Sequence, residues 1–121
     1  MSKRREHAAA EVFFALGDRT RLAVVRRLGA GARTATALAD GAAVSRQAIV
    51  KHLQVLEASS IVRTSKVGRV RTCTVEPKML TLAEHWIAAR REQWERKLDR
   101  LAEYLDATAS ENDNDQTGES K

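Results

Sequence analysis

Val44 to Val62 reads VSRQAIVKHLQVLEASSIV, and this stretch decides how the rest of the chain is read. Ser45 is a preferred helix N-cap, because its side-chain oxygen can take an otherwise unpaired N–H of the first turn. Ile49, Leu53 and Leu56 follow at i, i+4 and i+7, one apolar stripe facing a core. Away from that stripe lie Arg46, Gln47, Lys51 and Gln54. Arg and Lys can bond guanine edges or phosphates and Gln can pair bidentately with adenine, so this face has the chemistry to read a major groove. Taken alone, it also suits an ordinary solvated helix.

The residues that follow separate those two readings. Ile61 to Val75 contains two β-branched segments flanking Lys66-Val67-Gly68-Arg69, the pattern of a hairpin with Gly where a positive φ is needed. The tip and second strand carry Lys66, Arg69 and Arg71. A basic hairpin after a polar-faced helix is the outline of a winged helix-turn-helix. In that arrangement the helix enters the major groove and the wing lies along the phosphates or the neighbouring minor groove.

The segments before Val44 supply the rest of that outline. Ala8 to Leu16 is predicted as a short helix with Val12, Phe13 and Leu16 on one face, ended by Gly17, and Asp18 is the next N-cap. A second helix, 19–28, is expected to bury Leu22, Val25 and Leu28 and expose Arg19, Arg26 and Arg27. Thr34 caps a third, short helix through Ala39, and the turn Asp40 to Ala43 delivers the chain to Ser45. Helix, short turn, helix is the helix-turn-helix unit.

Pro77 opens the longest helical pattern, predicted to run to about Leu105. Leu80, Ala83, Ile87, Trp94, Leu98, Leu101 and Leu105 lie along one side. So small a body cannot cover such a stripe, and burying each Leu or Trp is worth about 1.5–3 kcal/mol. A partner helix from a second subunit is the natural cover, for Trp86 as well. The sequence thus predicts a mainly α fold with a small β-hairpin. Residues 7–107 are expected to form one DNA-binding and dimerising domain, between a flexible start (1–6) and a disordered acidic tail (108–121).

Composition agrees with a polyanion partner. The 121 residues carry a formal charge of +5, of which 108–121 contribute −3, leaving +8 on the remainder. A single cysteine, Cys73, excludes an intramolecular disulfide and agrees with a reducing compartment. No apolar run approaches the roughly 18 residues of a membrane span, and the start leads into no signal-peptide core, so a cytoplasmic protein is expected.

At this point the residues resemble a known family. Leu16-Gly17-Asp18-Arg19-Thr20-Arg21 is similar to the "L-x-D-x-T-R" opening of ArsR-family bacterial winged-helix repressors. Leu38-Ala39, Ser45, His52-Leu53-x-x-Leu56 and Ile61-Val62 fall in that family's spacing. Trp86 and the run from Trp94 to Leu105 resemble a branch with a long Trp-containing last helix and no metal ligands. The resemblance covers about residues 11–105. It implies a homodimer joined through first and last helices, which adds Val12, Phe13 and Leu16 to the expected interface, binding imperfect palindromes near promoters and repressing. It maps DNA contact onto Ser45, Arg46, Gln47, Val50 and Lys51, and onto Lys66, Arg69 and Arg71 of the wing; Gln54 on the same polar helix face and Thr34 complete the expected DNA-contact set. Four positions depart from the family pattern: Arg19 for a usual Pro, Ala37 for a Glu, Val50 for Ser or Thr, and Ser60 for a C-terminal Gly.

Other chemistry finds little footing. The third helix has no thiol, and the last offers one His, His85, where a closed zinc site needs four ligands. No cofactor is expected. His52, beside Leu53, reads as a hydrogen-bonded structural residue. Cys73, near Arg69 and Arg71, is either packing or a thiol activated by positive charge. No phosphate loop or nucleophile–base pair occurs, so an enzyme is not expected. The alternative function is a winged-helix interaction module without specific DNA binding, and a small-molecule effector remains open.

Overall fold

A computed structural model of the chain describes residues 3–119, with side chains through Glu111. The order is α1 (Lys3–Leu16), α2 (Arg19–Gly29), β1 (Arg33–Thr34), α3 (Ala35–Asp40), α4 (Arg46–Ala58), β2 (Val62–Val67), β3 (Val70–Val75) and α5 (Pro77–Glu119). The chain divides into two units, Met1–Trp86 and Ile87–Lys121.

The first unit is organised by three N-caps. Asp18, Thr34 and Ser45 each sit in extended backbone and accept from Arg21, Ala37 and Ala48 N–H respectively. Ile49, Leu53 and Leu56 of α4 are fully buried, meeting Val12 and Ala15 of α1, Leu38 of α3 and Ile61. The sheet is antiparallel in the order β1-β3-β2. Its hairpin pairs Val67 with Val70 across Gly68-Arg69. Gly68 has φ 64° while Arg69 is not at positive φ, as a II′ hairpin turn requires.

Helix α4 ends in a Schellman motif. Ile61 N–H bonds the Leu56 carbonyl and Ser60 N–H bonds that of Glu57, with Leu56 and Ile61 both buried. Gly41 makes room for a neighbouring side chain rather than supplying an unusual conformation. A Cβ there would stand 2.7 Å from the Arg27 guanidinium, which donates to the Ala37 and Leu38 carbonyls at 3.1 and 3.0 Å.

Several expectations are corrected. Helix α1 begins at Lys3, inside the segment expected to be flexible, and α5 runs to Glu119, through most of the expected tail. Once nucleated, a helix propagates at small cost, and no proline interrupts either stretch. The tail's last residues, like Met1 and Ser2, lie outside the described residues. Strand β1 was not foreseen, since two residues leave no periodicity to read; it pairs Arg33 with Cys73 and Thr34 with Thr72. Leu22 is 52% exposed, because α2 turns Val24 and Leu28 inward instead. Arg27 is half-buried over the end of α3 rather than solvated.

The second unit is the helix from Ile87 onward. Ile87, Trp94 and Leu101 recur every seven residues, and so do Leu98 and Leu105. All five side chains are exposed, Trp94 by 65%. Glu92 and Arg96 form an i, i+4 ion pair at 3.6 Å.

Candidate nucleic-acid interface

Burying Ile49, Leu53 and Leu56 forces the other face of α4 outward, so Gln47, Lys51 and Gln54 form an exposed row one turn apart. Arg46, in the first turn, is exposed and lies 3.5 Å from Asp40, an ion pair that solvent screens. Val50 is half-buried between the row and the core. The hydroxyls of Thr34 and Ser45 are engaged as caps, the former at 3.1 Å from Ala37 N and the latter at 3.2 Å from Ala48 N. These two residues therefore fix helix starts.

The wing differs from expectation in one residue. Lys66 and Arg69 are exposed at the tip, but Arg71 donates to the Glu57 carboxylate on α4. Register explains this: Arg71 shares a strand face with Cys73, the face turned toward the core, and stands opposite Lys66. Arg71 thus ties the wing to α4. Arg63, not singled out from the sequence, is on the outer face 3.1 Å from Glu76. Also missed were Val67 and Val70, which expose 77% and 54% at the hairpin tip. Strand alternation could have flagged them, since residues directly opposite beyond the core have nothing to bury against.

The L-x-D-x-T-R residues act as a brace. Arg21 donates to the Ala15 carbonyl at 2.6 Å and to that of Phe14 at 3.2 Å, capping α1. Its guanidinium also stands 3.1 Å from His52 Nδ1. Asp18 lies 3.8 Å from the same ring. His52 is therefore a joint between the first helices and the back of α4. Asp18 is held below its ordinary 3.8, chiefly by the Arg21 backbone N–H, against the opposing effect of burial, with His52 adding to the lowering.

Cys73 is fully buried, and burial pushes its thiol up from 9.0 despite the lowering effect of Arg71. That environment opposes thiolate formation, so Cys73 is packing and not an activated thiol. Among the described residues, no three His, Cys, Asp or Glu side chains gather as metal ligands would. No helix among them is long and apolar enough to cross a membrane.

Of the residues expected at a dimer interface, Val12 is completely buried in its own core and offers no surface. Phe13 and Leu16 are half-buried against that core. Trp86, half-buried, meets Phe13 edge-on with ring centroids 5.4 Å apart, so it already has a partner within the chain. Ile87, Trp94, Leu98, Leu101 and Leu105 remain exposed.

A helix-turn-helix domain family model matches residues 16–65. An ArsR family transcriptional regulator of known crystal structure is 38% identical, the match covering 78% of this chain and 95% of that one at a TM-score of 0.69. An ArsR-like transcriptional regulator from Rhodococcus sp. RHA1 is 34% identical over 79% of this chain and 91% of its own, with a TM-score of 0.72. The homodimeric winged helix-turn-helix DNA-binding domain of a Mycobacterium bovis protein shares the fold at 21% identity and a TM-score of 0.60, covering 79% of this chain and 93% of that one. No curated protein matches the sequence. With two regulators above 30% identity matched over nearly their whole length, the chain belongs to the ArsR family of winged helix-turn-helix transcriptional regulators, which are DNA-binding proteins and not enzymes.

Proposed function

We propose that the protein is a homodimeric repressor that binds a palindromic operator near a promoter in the bacterial cytoplasm. The observation that carries this reading is the exposed row Gln47, Lys51 and Gln54 on a helix whose other face is locked in the core. In this reading Arg46, Gln47, Lys51 and Gln54 meet base edges, and Val50 packs on a thymine methyl. Thr34 and Ser45 contribute through the helix starts they cap. Lys66 and Arg69 meet the backbone or minor groove, and Arg71 positions the wing rather than touching DNA.

The exposed heptad positions of α5 are the surface a second copy would cover. A symmetric dimer then demands two half-sites, and its footprint over a promoter denies that site to polymerase. The homodimeric M. bovis domain, of the same fold, is consistent with this assembly.

The test is binding to the promoter upstream of the protein's own gene, compared with random DNA over a salt series. Preference of about a thousandfold or more, with footprint centres about 10–10.5 bp apart or a multiple of that, is expected. Gln47→Ala should lower the preference by about 1–3 kcal/mol, whereas Arg69→Ala should weaken both DNAs alike. Equal, steeply salt-dependent binding to both DNAs would overturn the specific reading. A monomer that binds neither would favour an interaction module built on the exposed α5 stripe.

A further inference from the structure

A cavity of about 320 Å³ opens between α2, the end of α3, the turn that follows it, and α4. Ala23 and Val24 form one wall, and Leu38, Ala43 and Ile49 form the others. Its polar lining is Arg19, Thr20 and Arg27, with no carboxylate among the lining residues. We infer that this cavity is a binding site for a small carboxylic acid with a compact apolar body, and that its occupancy weakens DNA binding.

Three observations carry the inference. The cavity is mainly apolar with a few convergent polar groups, the usual constitution of a small-ligand site, and its volume suits a molecule smaller than a drug. Its charge is one-sided. The Arg27 guanidinium spends two N–H groups on the Leu38 and Ala37 carbonyls, and an Arg has five. Exposed Arg19 adds a second cation, so a carboxylate finds charge-assisted donors where a neutral molecule finds none as strong. Finally, the walls belong to the reading machinery. Ile49 is on the inner face of α4, and Ala43 lies two residues before its cap, Ser45.

A carboxylate that takes the remaining Arg27 N–H groups draws the guanidinium off the Ala37 and Leu38 carbonyls at the end of α3, loosening the turn from which α4 starts. Binding to the loosened form must weaken DNA, and DNA must weaken the ligand by the same factor. This coupling rests on the DNA-binding reading above, whereas the site itself does not.

The probe is benzoate, with benzamide as its neutral isostere, titrated into the ¹⁵N-labelled full chain without DNA. Amide shifts at Ala23, Gly41, Ala42 and Ala43 with a Kd of about 1 mM are expected, as suits so few heavy atoms. Benzamide should bind at least about tenfold more weakly. Ala23→Leu fills the cavity and should remove the shifts, and Arg19→Ala should weaken benzoate but leave benzamide unchanged. Shifts that persist in Ala23→Leu, equal binding of the two probes, or no shifts up to about 20 mM would overturn the site. At matched ionic strength, benzoate should weaken DNA binding severalfold in the wild type and not in Ala23→Leu. Unchanged DNA affinity beside intact benzoate shifts would overturn the coupling. Loss of DNA binding without any benzoate would instead fault the DNA reading.

Discussion

Ser60 holds φ at 62°, the only non-glycine at positive φ among the described residues. It occupies the left-handed position of the α4 Schellman motif, where a Cβ costs about 1–2 kcal/mol. Glycine would remove that cost and return about 0.5–1 kcal/mol of it as unfolded-state entropy. Ser60→Gly should therefore stabilise the protein by about 0.5–1 kcal/mol, read as a higher urea midpoint at unchanged m-value. An unchanged or lower midpoint would remove strain from the account of this turn. Asp18 gives a second, pH-dependent expectation. Its pKa is lowered on folding, so its stabilisation is complete above the unfolded value of 3.8 and is lost as pH falls through the lower folded value. Asp18→Asn keeps a capping oxygen and removes the titration. The variant should lose less stability than the wild type between pH 5 and about pH 2 in urea melts. An equal loss would mean that other carboxylates carry the acid limb.

Between elements, the decisive contact is Arg71 with Glu57, which sets where the wing stands relative to α4. Both side chains are about 30% exposed, at 31% and 28%, so the pair is partly shielded from water. Removing Arg71 leaves Glu57 half-buried and unpaired, at a cost of about 1–2 kcal/mol after allowing for that exposure. Arg71→Met should show this loss, and Arg71→Met with Glu57→Gln should recover part of it, measured as a double-mutant cycle. The slope of log K against log salt should stay unchanged in Arg71→Met and fall by about one in Arg69→Ala. A slope reduced in both would return Arg71 to the phosphates. This contact also marks where the sequence stops being informative. The caps at Asp18, Thr34 and Ser45 and the stripe of α4 were legible because each depends on residues within one or two turns. Arg71–Glu57, Arg21–His52 and Arg27–Leu38 join residues 14, 31 and 11 positions apart, and local periodicity says nothing about them. Leu22 was misjudged for a related reason. A helix as short as α2 offers two nearly equivalent apolar stripes, and only the neighbours decide that Val24 and Leu28 turn inward.

For the molecule as a whole, the surface that demands cover is the apolar side of α5. Leu98, Leu101 and Leu105 each expose more than half their surface, beside Trp94 and Tyr104 at 65% and 67%. A spread of single exposed leucines needs no explanation, but a continuous heptad seam of them does. The alternation of three and four residues from Trp94 to Leu105 matches the seam of a left-handed helix pair, so a second α5 can fill it with the same residues. Leu101→Lys puts a charge at the centre of that seam without touching the core of the first unit. It should give a monomer by light scattering, with the helical signal of Met1–Trp86 retained. DNA then loses the gain from linking two half-sites, worth about a hundredfold or more on a full palindrome, while affinity for a single half-site stays close to that of the wild type. The two readouts fail separately. A variant that remains dimeric would mean the seam is not the interface. A monomer that still binds the full palindrome at wild-type affinity would mean that dimerisation is not what DNA recognition uses.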